Sequence, residues 1–236
     1  MITDHHIHNH HRDVQGGVER AAVFGASDGL VSNVLLILGV AGADSSQGIV
    51  RITGLVGLLA GAISMAAGEY VSVKAQNDLV EREIQREREA HASDPEEEIE
   101  ELAELYMDRG VPEEHAQAVA RALMSDPETA LAVHTREELG FYPDELASPI
   151  KAALFSLVAF SLGALVPLLP WFFGGGDGAI IASLILGVLG AATVGLILAV
   201  QTAGSKLRLM ARQVGIAIGA GAVTYGIGAL VGVQVG

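Results

Sequence analysis

The sequence predicts an all-α, polytopic membrane protein with five transmembrane helices and a helical cytoplasmic insert between the second and third. Three observations lead there. Half of the 236 residues are hydrophobic, mean hydropathy is +0.43 and only 18% are charged, which is too apolar for a soluble domain so poor in aromatics. Five runs almost free of charge are each long enough to cross ~30 Å of hydrocarbon. The net charge of −14 lies wholly in one polar stretch. Between Lys74 and Ser148, 21 acidic residues face 7 basic ones, and the rest of the chain is neutral.

The expected spans are Ala21–Ala43, Ile52–Val73, Ala152–Gly176, Gly178–Ser205 and Gln213–Gly236. This divides the chain into a His-rich cytoplasmic tail (1–20), helices 1 and 2 (21–75), an acidic metal-binding insert (76–147) and helices 3 to 5 (148–236). Small residues four apart, Gly25/Gly29, Gly57/Gly61, Ser64/Gly68 and Gly215/Gly219, mark expected packing faces. Pro167 and Pro170 are expected to kink or end span 3, with Trp171 beside them as an interfacial anchor. Arg12 and Arg20, the insert's basic residues, and Lys206, Arg208 and Arg212 fall on one side, against Arg51 alone on the other. The N-terminus, the insert and the last loop are therefore expected in the cytoplasm. The first apolar run is too long for a signal h-region and reads as an uncleaved anchor.

Within the insert, Asn77–Ala92 is rich in helix formers and mixes Glu with Arg on neighbouring faces. Ser93-Asp94-Pro95 restarts a helix that stops at Arg109-Gly110. Pro112-Glu113-Glu114 and Asp126-Pro127-Glu128 begin two more, the last running to Leu139-Gly140. Ile99, Leu102, Leu105, Tyr106, Val119, Ala120, Leu123 and Met124 recur at helical spacing as its small core.

Composition narrows the function. A polyanionic insert disfavours nucleic acid and anionic lipid and favours cations. Without cysteine, disulfides and thiolate metal sites are excluded. No P-loop, dinucleotide fingerprint or hydrolase motif is present, so no enzyme and no organic cofactor are expected. Uphill movement of an ion must then couple to another gradient.

Three constellations carry the chemistry. Asp28 stands in an otherwise uncharged run, where a carboxylate costs roughly 2.5–3.5 kcal/mol, so it reads as a proton or cation site facing a bundle interior. The alternative starts the helix later and leaves Asp28 at the interface. Met65, midway along span 2, offers a thioether that favours Fe²⁺ over hard ions, or simply packs; Glu69 one turn on is a further stop or an interfacial marker. In the insert, Glu98/Glu101 and Glu101/Glu104 are i,i+3 pairs, with Glu83/Glu87 and His134/Glu138 as further pairs able to bind a divalent ion. A solvated acidic face is the competing reading. The third is the tail, with His5, His6, His8, His10 and His11, which is either metal-capturing or incidental.

The stretches FGASDGLVSNVLLILGVAGA, GLLAGAISMAAGEYVSVKAQNDL and SPIKAALFSLVAFSLGALVPLLP resemble the vacuolar iron transporter family, from about residue 18 to the C-terminus. The resemblance implies a homodimer of five-span protomers that exchanges Fe²⁺, and often Mn²⁺, for protons and moves metal out of the cytoplasm. It implies that Asp28 and Met65 are transport ligands in a pore at the dimer interface, and that Glu87, Glu98, Glu101 and Glu138 are insert ligands. Two departures stand out. Ala90 occupies a glutamate position, with Glu89 or His91 as substitutes, and His134-Thr135 stands where a methionine pair can occur. Nitrogen in place of sulfur shifts preference among Fe²⁺, Mn²⁺, Co²⁺ and Zn²⁺.

The expected function is thus a proton-coupled exporter of Fe²⁺, with Mn²⁺ as a second ion, whose insert captures metal at the pore mouth. The expected location is a prokaryotic cell membrane, or a vacuolar membrane if the source is eukaryotic. Two alternatives remain: a membrane-anchored, ferritin-like ferroxidase, and a metal-sensing gated channel.

Overall fold

The computed structural model describes residues 17–43, 45–139 and 146–235, and every regular element among them is helical. The helices are α1 (Gly17–Gly42), α2 (Gln47–Ser93), α3 (Pro95–Asp108), α4 (Glu113–Met124), α5 (Pro127–His134), α6 (Pro149–Leu168), α7 (Pro170–Phe173), α8 (Gly176–Gln201) and α9 (Lys206–Val235). A five-residue π-helical turn, Thr135–Leu139, continues α5. Five helices, α1, α2, α6, α8 and α9, are long and apolar enough to cross a membrane, and the chain is a multi-pass membrane protein. It forms two compact units: residues 1–70 with 150–236, and residues 71–149.

In the membrane unit, α1 packs on α8 and α9, which also pack on each other. Large apolar side chains such as Ile63, Leu162, Ile185 and Leu230 point outward, while Asn33, Ser156 and Ser183 are buried. That inversion suits a lipid solvent, where buried polar groups tie helices together. The α1–α6 crossing is backbone to backbone. A Cβ on Gly29 would stand 2.1 Å from the Phe160 carbonyl oxygen, and one on Gly163 would stand 2.2 Å from that of Ala26. Of the expected small-residue faces, Gly25, Gly29, Gly57 and Gly61 do pack within the chain. A Cβ on Gly68, Gly215 or Gly219 would meet nothing within 4 Å among the described residues.

α6 ends at Leu168, one residue after Pro167, and Pro170 opens α7, so these prolines end span 3 as expected. Trp171, by contrast, is not an interfacial anchor. Trp171 is 1% exposed, in a core with Ile37, Val50, Leu168 and Ala179. Its indole Nε1–H donates to Ser183 Oγ at 3.0 Å, and that hydroxyl donates to the Pro167 carbonyl at 2.7 Å. A local acceptor lets the indole bury fully instead of seeking water. In addition, α9 begins at Lys206 rather than Gln213, because Lys206, Arg208 and Arg212 are good helix formers that extend the apolar run.

In the second unit the capping signals act as read. Asp94 accepts from the Glu97 N–H, Asp126 accepts from the Thr129 N–H, and Pro95 and Pro127 open their helices. Gly110 has φ +91, the left-handed conformation that ends α3. Leu102, Ala103, Ala116 and Ala120 are the buried centre where α3 meets α4, and Val119, expected in that core, is 45% exposed. Small alanines carry the contact because they bring the two helices close, which turns the larger Val119 outward.

Candidate metal centre

In the second unit, four side chains converge that the sequence scatters over almost fifty positions. Glu87 and His91 lie one turn apart on α2. Glu98 stands in the first turn of α3, placed by the Asp94 cap, and His134 is the last residue of α5 before the π turn. Their ligand atoms all lie within 4.8 Å of one another. His134 Nδ1 is 2.7 Å from Glu87 Oε1 and 3.4 Å from Glu98 Oε2, while His91 Nε2 is 3.2 Å and 3.6 Å from the same oxygens. The two imidazoles meet edge to face at 4.7 Å. Glu98 and His134 are buried, and Glu87 and His91 are nearly so.

Electrostatics suit a cation. Burial holds the His91 imidazole below its usual pKa and the neighbouring His134 lowers it further, against the opposing pull of Glu87. A neutral imidazole has a lone pair to give a metal. Two nitrogens and two carboxylate oxygens make a set for borderline ions such as Fe²⁺, Co²⁺ or Zn²⁺, with Mn²⁺ weaker and Mg²⁺ disfavoured.

The structure brings Glu87, Glu98 and His134 together and adds His91, which the sequence offered only as a substitute. The signal was present: Glu87-x-x-x-His91 is i,i+4, one face of a helix. The i,i+3 pairings do not form the centre. Glu101 and Glu104 are exposed on α3, and Glu83 pairs with Arg86 at 2.8 Å. Thr135 is buried and gives its hydroxyl to the Leu131 carbonyl. The side chain of Glu138 and the His-rich tail lie outside the described residues.

In the membrane unit, a cavity of about 320 Å³ is lined by Asp28, Ser32, Asn33 and Leu36 of α1, Gly57, Gly61, Ser64 and Met65 of α2, and Phe160 of α6. Asp28 and Met65 thus line the same cavity, from α1 and α2. Glu69 lies beyond this cavity's lining and takes a 3.4 Å ion pair from Arg20.

Residues 19–229 match the model of the VIT family. The chain belongs to that family. It is 35% identical, over its whole length and 81% of the relative, to the vacuolar iron transporter of Toxoplasma gondii. It is 34% identical over 170 residues to vacuolar iron transporter 1 of Arabidopsis thaliana, covering 72% of this chain and 67% of the relative. The vacuolar iron transporter of Acanthamoeba castellanii is 43% identical over 150 residues, 64% of this chain, and the match spans about half (54%) of that protein. Members of the VIT family are transporters, not enzymes.

Proposed function

We propose that this VIT-family chain is a proton-coupled exporter of divalent metal, with Fe²⁺ as its main cargo and Mn²⁺ as a second. The observation that carries this is the cavity of the membrane unit that Asp28 and Met65 both line. A carboxylate and a thioether together suit a borderline cation, and protonation of the carboxylate releases it. The relatives named as iron transporters support Fe²⁺ as the cargo.

Residues 76–147 are the capture domain in this reading, with Glu87, His91, Glu98 and His134 as its ligands. Its four ligand atoms suit one ion. Ferritin-like oxidation uses two metals, so transport is preferred to a ferroxidase. Asp28 is exposed in the single chain, and a charge facing lipid is costly, which supports a homodimer whose second copy covers it. Glu69 is the cation's stop on the cytoplasmic side. Metal leaves the cytoplasm for a vacuole-like lumen or the cell exterior.

Transport into proteoliposomes tests the proposal. The wild-type protein should take up Fe²⁺ with counterflow of protons, and Asp28→Asn should abolish both. Normal coupled uptake by that variant removes Asp28 from the mechanism.

A further inference from the structure

Asn33 lies on α1 about a turn and a half beyond Asp28 and is 2% exposed. Its Nδ2–H donates to the Ala164 carbonyl of α6 at 2.6 Å. That bond fixes the amide, because turning it over would set two oxygens face to face. Oδ1 therefore points away from α6. It is fully buried and has no hydrogen-bond donor among the described residues. Leaving such an acceptor unmet costs about 1–3 kcal/mol.

If Asn33 served only to tie α1 to α6, a serine or threonine hydroxyl would donate the same bond and leave no amide oxygen behind. The oxygen has a destination. Asn33 lines the same cavity as Asp28, Ser32, Ser64 and Met65. On α2 opposite stands Gly57, where a Cβ would come within 3.2 Å of Oδ1 and 2.4 Å of Leu36 Cδ2. A side chain at this lining position would crowd the oxygen, and glycine avoids that.

We propose that Asn33 Oδ1 is an oxygen ligand for the cation in the membrane cavity, held ready by the bond to Ala164, and that it helps set which ions pass. The inference rests on the transport reading above. An ion bound by Asp28 and Met65 alone sees one hard and one soft donor. The amide oxygen moves the balance towards Mn²⁺ and Fe²⁺ and away from a softer ion such as Cd²⁺. Because the amide is neutral, it adds a ligand without adding a charge that must be neutralised in the membrane.

Two measurements test it on the full-length protein. In proteoliposomes, Asn33→Leu should raise KM for Mn²⁺ roughly tenfold while changing KM for Cd²⁺ little. A merely structural asparagine would lower the amount of active protein and leave both KM values and their ratio as they were. The second measurement does not depend on that variant folding. With Asn9→Gln and Asn77→Gln, [¹³C]asparagine reports Asn33 alone. Adding Mn²⁺ should move its infrared carbonyl band to lower frequency. An unmoved band in protein that still transports Mn²⁺ overturns the proposal. Wild-type protein that carries neither Mn²⁺ nor Fe²⁺ overturns the transport reading instead.

Discussion

His134 Nδ1 and Glu87 Oε1 lie 2.7 Å apart, joining the end of α5 to the C-terminal part of α2 at a point where the His134 side chain has no exposure at all. An imidazole and a carboxylate do not gather in such a place for apolar packing. With His91 and Glu98 they put four ligand atoms within 4.8 Å of one another, an arrangement that a cation stabilises and a solvated acidic face does not provide.

His134→Ala should therefore weaken Co²⁺ binding to the detergent-solubilised protein by roughly a hundredfold, or about 2.7 kcal/mol, in a calorimetric titration. Glu101→Gln, which changes an equally acidic residue on the exposed side of α3, should leave the affinity within about twofold of wild type. Equal losses in both variants would mean that diffuse charge, and not the four-residue shell, holds the metal.

Much of this was legible in the chain. Span number follows from uncharged runs longer than a bilayer is thick, and the insert's helices follow from Asp94-Pro95 and Asp126-Pro127, whose caps act locally. Glu87, Glu98 and His134 each stood in a helical pairing, and the family resemblance pointed to Glu87 and Glu98 again. Their meeting did not come from spacing, because the shell closes across three helices and no periodicity records tertiary distance. His91 was half visible through its i,i+4 relation to Glu87. Trp171 was misread because burying an indole depends on Ser183, twelve residues away. Asn33 carried no pattern at all, since one amide in an apolar run gains meaning only from what faces it.

Stability at low pH should report the Asp126 cap. The Thr129 hydroxyl and N–H both donate to its carboxylate, at 2.7 and 3.0 Å, and hold its pKa below the ordinary 3.8. The native state thus binds fewer protons than the unfolded state at this group. Its contribution is complete above that ordinary value and disappears as pH falls through the lower native one. Asp126→Ala should lower Tm at neutral pH, and the gap to wild type should close below about pH 4. Since α5 ends on His134, the same variant should weaken metal binding without removing a ligand. A Tm gap independent of pH would show that the carboxylate charge is not what stabilises the helix start.

Ser183 satisfies two groups with one hydroxyl, accepting from Trp171 and donating to the Pro167 carbonyl. Ser183→Ala should leave an indole N–H and a carbonyl unmet in an apolar interior and cost about 1–3 kcal/mol in detergent unfolding. Ser161→Ala, whose hydroxyl donates only to the Leu157 carbonyl of its own helix, should be near neutral. Similar effects at both positions would show that the Trp171 network is no stronger than an ordinary intrahelical bond.

The crossing of α1 with α6 gives the sharpest contrast. Gly29→Ala would put a methyl 2.1 Å from the Phe160 carbonyl oxygen, and backbone cannot yield as a flexible side chain can. The helices must separate, at a cost of about 1–3 kcal/mol or more, and Asn33, one turn further on, loses its hold on Ala164. Lower Tm and lost Mn²⁺ transport should therefore appear together. Gly68→Ala meets nothing within 4 Å among the described residues and should gain about 0.5–1 kcal/mol from better helix propensity. If Gly68→Ala instead destabilises the protein, and only at concentrations where it self-associates, then the Ser64/Gly68 face packs against a second copy. Tm measured across a dilution series separates the two outcomes, because only an intermolecular contact makes the loss depend on protein concentration.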